Sequence, residues 1–115
     1  MPPKVAHKQP LALAIASVIR GIPRGKVSTY GAVAKAAGYP RHARHVSRVL
    51  NFWPGLPWQR VLACGGRISL PGEFGREQRF LLEAEAVRFK GRRVDMAVFE
   101  HHFPRPGRQK RIKLV

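Results

Sequence analysis

Apolar side chains recur at helical spacing near the start of the chain. Leu11, Ile15, Val18 and Ile19 fall at i, i+4, i+7 and i+8, one stripe of a 3.6-residue period. Pro10 suits a first helical turn and Gly21 follows as a stop, so the pattern predicts a helix over about 10–20. Ser28 or Thr29 can cap a second helix over 30–37, which Gly38 closes. Pro40 then opens a third, about 41–51. Two short helices joined by a tight, glycine-containing turn make a helix-turn-helix pattern. Residues 52–56 read as an aromatic loop bearing Pro and Gly, with Trp53 in it. Segments 60–63 and 67–69 predict a small hairpin about Gly65-Gly66. After a loop at 71–75, a last helix over 76–86 is expected to turn Phe80, Leu81 and Ala84 inward.

These elements predict a small α/β domain, mostly helical, spanning 10–103. A basic N-terminal arm (1–9) precedes it and a basic tail (104–115) follows. The tail carries Arg105, Arg108, Lys110, Arg111 and Lys113 without a core pattern, and is expected to be disordered in the absence of a polyanion. No internal repeat is visible.

Charge narrows the partner. Twenty-two Lys and Arg oppose six Asp and Glu, a formal net charge of +16 over 115 residues. Such an imbalance is self-repelling unless a polyanion is near, so nucleic acid is the expected partner. An anionic membrane competes, but the apolar run 11–19 is far shorter than the roughly 20 residues a span needs. Lys4 and Lys8 precede no apolar signal region or cleavage site, so the expected location is inside the cell, nucleoid-associated or nuclear, and not secreted. The single Cys64 excludes an internal disulfide and a cysteine-rich zinc site. His101 and His102 are adjacent without ligand-spaced partners and read as solvated, so neither metal nor cofactor is expected.

One tetrapeptide carries the chemistry. Pro57-Trp58-Gln59-Arg60 resembles the Pro-Cys-His-Arg active-site motif of the O6-alkylguanine-DNA alkyltransferases. The likeness extends over 22–85. It includes Ile22-Pro23-Arg24-Gly25-Lys26-Val27-Ser28-Thr29-Tyr30-Gly31, then Ala43-Arg44-His45-Val46, Asn51, the motif through Val61, and Glu85 on the last predicted helix. In that family a cysteine thiolate takes the alkyl group from guanine and a histidine relays the activating proton. Here the indole of Trp58 offers one N–H donor and no nucleophile, and the Gln59 amide does not titrate. The resemblance therefore implies an alkyltransferase-like protein with the alkyltransferase C-terminal fold, lesion reading retained and chemistry absent. Its implied role is to bind O6-alkylguanine in duplex DNA as a monomer and flag it for nucleotide excision repair proteins.

The same resemblance assigns residue roles. Arg44 would enter the duplex through the minor groove and fill the place of the extruded nucleotide; a guanidinium can stack on bases while hydrogen-bonding the orphaned partner. Tyr30 would press on the flipped nucleotide's phosphate and hold it out of the stack. Ala43, Ser47 and Arg48 belong to the groove-reading helix. The family usually has small residues there, so Arg48 must either clash or swing to a phosphate. Trp58 and Pro57 would line the lesion pocket, with Ser69 at its edge offering a hydroxyl or backbone N–H. Asn51, Arg60 and Glu85 are expected to brace the motif, and Trp53 to pack in its loop. Some relatives bring an arginine from the loop after the hairpin into the pocket. Pro71 stands near that position here, which leaves Arg67 and Arg76 as the candidates to replace it. Two alternatives compete: alkyl transfer by Cys64, six residues past the expected position and without an adjacent His, and a plain helix-turn-helix binder. The second explains charge and helices but not the Trp58 motif.

Overall fold

The structure is a computed structural model that describes residues 10–104; the N-terminal arm and nearly all of the basic tail lie outside the described residues. Helix α1 (Leu11–Arg20) buries Ala14, Ile15, Ala16 and Ile19, as its periodicity requires, and ends at Gly21. Strand β1 (Ser28–Thr29) runs directly into α2 (Tyr30–Ala36). Thr29 caps that helix, its hydroxyl accepting from the Ala32 N–H at 3.1 Å. Gly38 takes a left-handed φ of 92° in the turn that follows. The third helix, α3 (Ala43–Phe52), begins two residues later than expected, because His42 has non-helical backbone angles at its N-cap. Ile15, Ile19, Ile22, Val33, Ala34, Val46, Val49 and Val61 form the core beneath α1, α2 and α3.

Strand β2 (Val61–Leu62) pairs in parallel with β1, Ser28 opposite Val61 and Thr29 opposite Leu62. Both β2 residues are buried, as expected of a parallel pair covered on both faces. The segment 57–60, which leads into β2, packs against the later helix over residues 72–84. Beyond β2 come that helix, α4 (Gly72–Ala84), an antiparallel pair of β3 (Phe89–Lys90) and β4 (Arg93–Val94), and α5 (Met96–Phe99). Val27, Leu62, Leu82, Val87 and Val94 form a second core here.

Two expectations are corrected. The hairpin expected over 60–63 and 67–69 is reduced to a single bridge between Ala63 and Arg67, around a 3-10 turn at Cys64–Gly66. The residues that would have formed its first arm pair with β1 instead, and Arg67 bridges onward to Arg93. The molecule's hairpin is the later one, β3–β4, turning at Gly91 with a φ of 63°. The last helix starts four residues earlier than expected, and its inner face is Gly75, Gln78 and Leu82. Phe80 is 68 % exposed, Ala84 lies on the surface and Leu81 is half-buried. The largest apolar side chains misstate this helix's phase because a glutamine occupies the buried stripe.

Candidate lesion pocket and nucleic-acid interface

A cavity of about 410 Å³ opens between α3, the Trp58 turn and the start of α4. Its walls are Tyr30, Ser47, Leu50, Asn51, Trp58, Leu70, Phe74 and Glu77. Trp58 opens a short 3-10 turn (Trp58–Arg60), its N–H donating to the Leu56 carbonyl at 2.8 Å and that of Arg60 to Pro57 at 3.0 Å. The turn shows the indole to the cavity while the next two side chains point to its support.

That support converges on one carboxylate. Glu85, just past α4, accepts from Gln59 Nε2 at 2.8 Å, the Gly25 N–H at 2.8 Å, Arg60 Nε at 3.0 Å and Arg60 Nη2 at 3.0 Å. Arg60 Nη1 also donates to the Ile22 carbonyl at 2.9 Å. Three segments distant in sequence, 22–25, 59–60 and 85, are thereby tied at one point. Burial pushes the Glu85 carboxyl pKa up, but the hydrogen bonds from Arg60, Gly25 and Gln59, with the Arg60 charge, outweigh it and hold the group below its ordinary range. From α4, Gln78 donates its amide to the Gln59 and Val61 carbonyls at 3.1 and 2.9 Å. A buried amide so satisfied is no liability. The bracing roles expected of Arg60 and Glu85 fit this geometry. Asn51 does not join them: it is exposed on α3 and lines the cavity.

Helix α3 presents two flanks. Arg44 is exposed in its first turn, beside half-buried Ala43, and Ser47 lies on the cavity side. Arg48 looks the other way, into an apolar groove of about 260 Å³ with Leu11, Ala12, His45, Val49, Phe52 and Trp53. Trp53 is half-buried against the helical core, with the Arg20 guanidinium 5.7 Å from its ring centroid, which fits the loop-packing role. Of the residues expected at the pocket, Tyr30 and Trp58 line it. Pro57 is half-buried and Ser69 exposed, and neither is part of the wall. Arg67 and Arg76 are both exposed and neither lines it. Cys64 is exposed in its turn, outside the wall.

Sequence reasoning missed Leu50, Leu70, Phe74 and Glu77. The last two are three residues apart, so a helix begun at Gly72 would have placed them on one face. Among the described residues no group of three or more His, Cys, Asp or Glu could hold a metal ion, and no helix is long and apolar enough to cross a membrane.

A helix-turn-helix whose second helix borders a cavity large enough for a nucleobase defines a class of DNA-binding domain that handles bases out of the stack. The family model of the 6-O-methylguanine DNA methyltransferase DNA-binding domain matches residues 10–87, and the chain belongs to that family. It is 51 % identical over 76 residues to the DNA base-flipping protein of Vibrio parahaemolyticus, a match covering 64 % of this chain and 76 % of the relative. It is 41 % identical over 61 residues to alkyltransferase-like protein 1 of Schizosaccharomyces pombe, covering 50 % of this chain and 56 % of that one. The fold matches the crystal structure of S. pombe Atl1 in complex with damaged DNA containing O6-carboxymethylguanine. That match has a TM-score of 0.69 and 26 % identity, over 81 % of this chain and 95 % of that one. The fold is thus of the alkyltransferase C-terminal type, small and mostly helical with a short sheet.

Proposed function

We propose that this chain is a non-enzymatic sensor that binds O6-alkylguanine in duplex DNA, turns the damaged nucleotide into the cavity, and leaves it chemically intact. The observation that carries this reading is the pairing of a base-sized cavity with an indole on its wall, where the family resemblance places the nucleophile. The Gln59 amide donates to Glu85, and its carbonyl oxygen, though a hydrogen-bond acceptor, is far too weak a base to take a proton as the family's histidine does. The names of the relatives, a base-flipping protein and an alkyltransferase-like protein, support the same reading.

In this account α3 lies in the minor groove, Arg44 fills the vacated place in the stack, and Tyr30, at the cavity's edge, bears on the turned-out nucleotide's phosphate. Trp58 packs on the base or its alkyl group, a contact of roughly 1–3 kcal/mol for base–aromatic stacking. Ala43 and Ser47 allow the close approach, and Arg48, on the far flank, reaches a phosphate. Because nothing is consumed, the complex persists long enough to recruit nucleotide excision repair proteins. The chain acts inside the cell as a monomer, and the basic arm and tail add phosphate contacts. The test is incubation in excess with a duplex whose O6-methyl carbon is labelled. The duplex is retained and the label stays on the DNA; label transferred to Cys64 would instead establish an enzyme.

A further inference from the structure

The chain is strongly basic, yet the cavity wall carries the opposite charge. Among the wall residues one is a carboxylate, Glu77, and none is a lysine, arginine or histidine. Glu77 stands one turn after Phe74 on α4, and the two share the face toward the cavity. No ion pair engages it among the described residues, whereas Glu83 on the same helix pairs with Arg79 at 3.1 Å and Glu85 with Arg60 at 3.0 Å. The rest of the wall is apolar (Leu50, Leu70, Phe74, Trp58) or neutral and polar. Glu77 is itself exposed at the cavity rim, so it repels a second negative charge entering this space through water, at short range and more strongly the lower the salt.

We infer that the pocket selects neutral O6-adducts over anionic ones, and that Glu77 is the residue that discriminates. This rests on the sensor reading and adds a substrate class to it. Methyl and larger uncharged alkyl groups meet Trp58, Phe74, Leu50 and Leu70, whereas a carboxyalkyl group brings its charge against that of Glu77. The test uses two duplexes of the same sequence, one with O6-carboxymethylguanine and one with its neutral isostere O6-carbamoylmethylguanine, titrated at matched salt. At low salt the neutral adduct binds more tightly by up to about fivefold, the effect of a unit-charge repulsion near 4 Å in water, and the margin shrinks as salt is raised. Glu77→Gln brings the ratio close to one and Glu77→Lys inverts it. Glu73→Gln, on the same helix but outside the cavity wall, leaves it unchanged. Equal or tighter binding of the anionic adduct by the unaltered protein overturns the inference, as does a preference that survives Glu77→Gln. O6-methylguanine and undamaged duplexes run in parallel separate the two levels. No preference between them sinks the sensor reading itself, whereas a methyl preference with the two isosteres bound alike sinks only the role of Glu77.

Discussion

At the scale of single residues, the motif is held by a charge rather than by apolar packing. Glu85 satisfies Gln59, Gly25 and Arg60 together, and only 3 % of its side chain is exposed. Glu85→Ala would strand the guanidinium and the amide, and is expected to cost roughly 2–4 kcal/mol in urea unfolding. The pH dependence has a definite sign. The folded-state pKa is lowered, so the stabilisation is complete above the ordinary glutamate value and is lost as pH falls through the lowered one. Urea midpoints measured down the acid limb should therefore fall less steeply for Glu85→Gln than for the unaltered protein. Arg44 raises a different question, because its exposure in the first turn of α3 suits either a finger or a phosphate contact. Arg44→Ala should weaken binding to an O6-methylguanine duplex far more than to its undamaged twin; an equal loss on both would make it a phosphate contact. Arg60, Glu85 and Trp58 were legible in the sequence because a motif named them. Gln78 and Glu77 were not, because a lone polar residue in a helix does not declare which face it occupies.

At the scale of elements, the legible parts were those with local causes. The stripe of α1, the Thr29 cap of α2 and the glycine turn at Gly38 each follow from neighbours in sequence, and each stands close to where it was expected. The two-residue strands β1 and β2 had no such cause. They pair in parallel across 33 positions, Ser28 with Val61, and nothing within either strand names the other. The start of α4 was hidden by its glycines, which read as loop but include a packing device. Gly75 faces the Leu70 carbonyl so closely that a Cβ would collide with backbone, and Leu70 is itself part of the cavity wall. Gly75→Ala must therefore push α4 away from the 68–70 segment. A loss of about 1–3 kcal/mol is expected for such overpacking, measured by thermal or urea unfolding. Damage preference should weaken along with it, because Leu70 and Phe74 shift together. Unchanged stability would show that the helix start has room to move.

At the scale of the whole molecule, affinity and discrimination have separate sources. The charge of +16 supplies attraction to any duplex, and that attraction falls steeply with salt. In the proposed reading, discrimination comes from the cavity and its indole, which carry no positive charge and add little to general attraction. On that reading this chain tells alkylated guanine from guanine by receiving the base on Trp58. The most direct test is a pair of titrations at one fixed salt concentration, an O6-methylguanine duplex against the same duplex undamaged, for the unaltered protein and for Trp58→Ala. The damaged duplex should bind the unaltered protein more tightly, with most of that margin lost in Trp58→Ala and affinity for undamaged DNA retained. Equal binding of both duplexes by the unaltered protein, or an undiminished margin in Trp58→Ala, would contradict that reading.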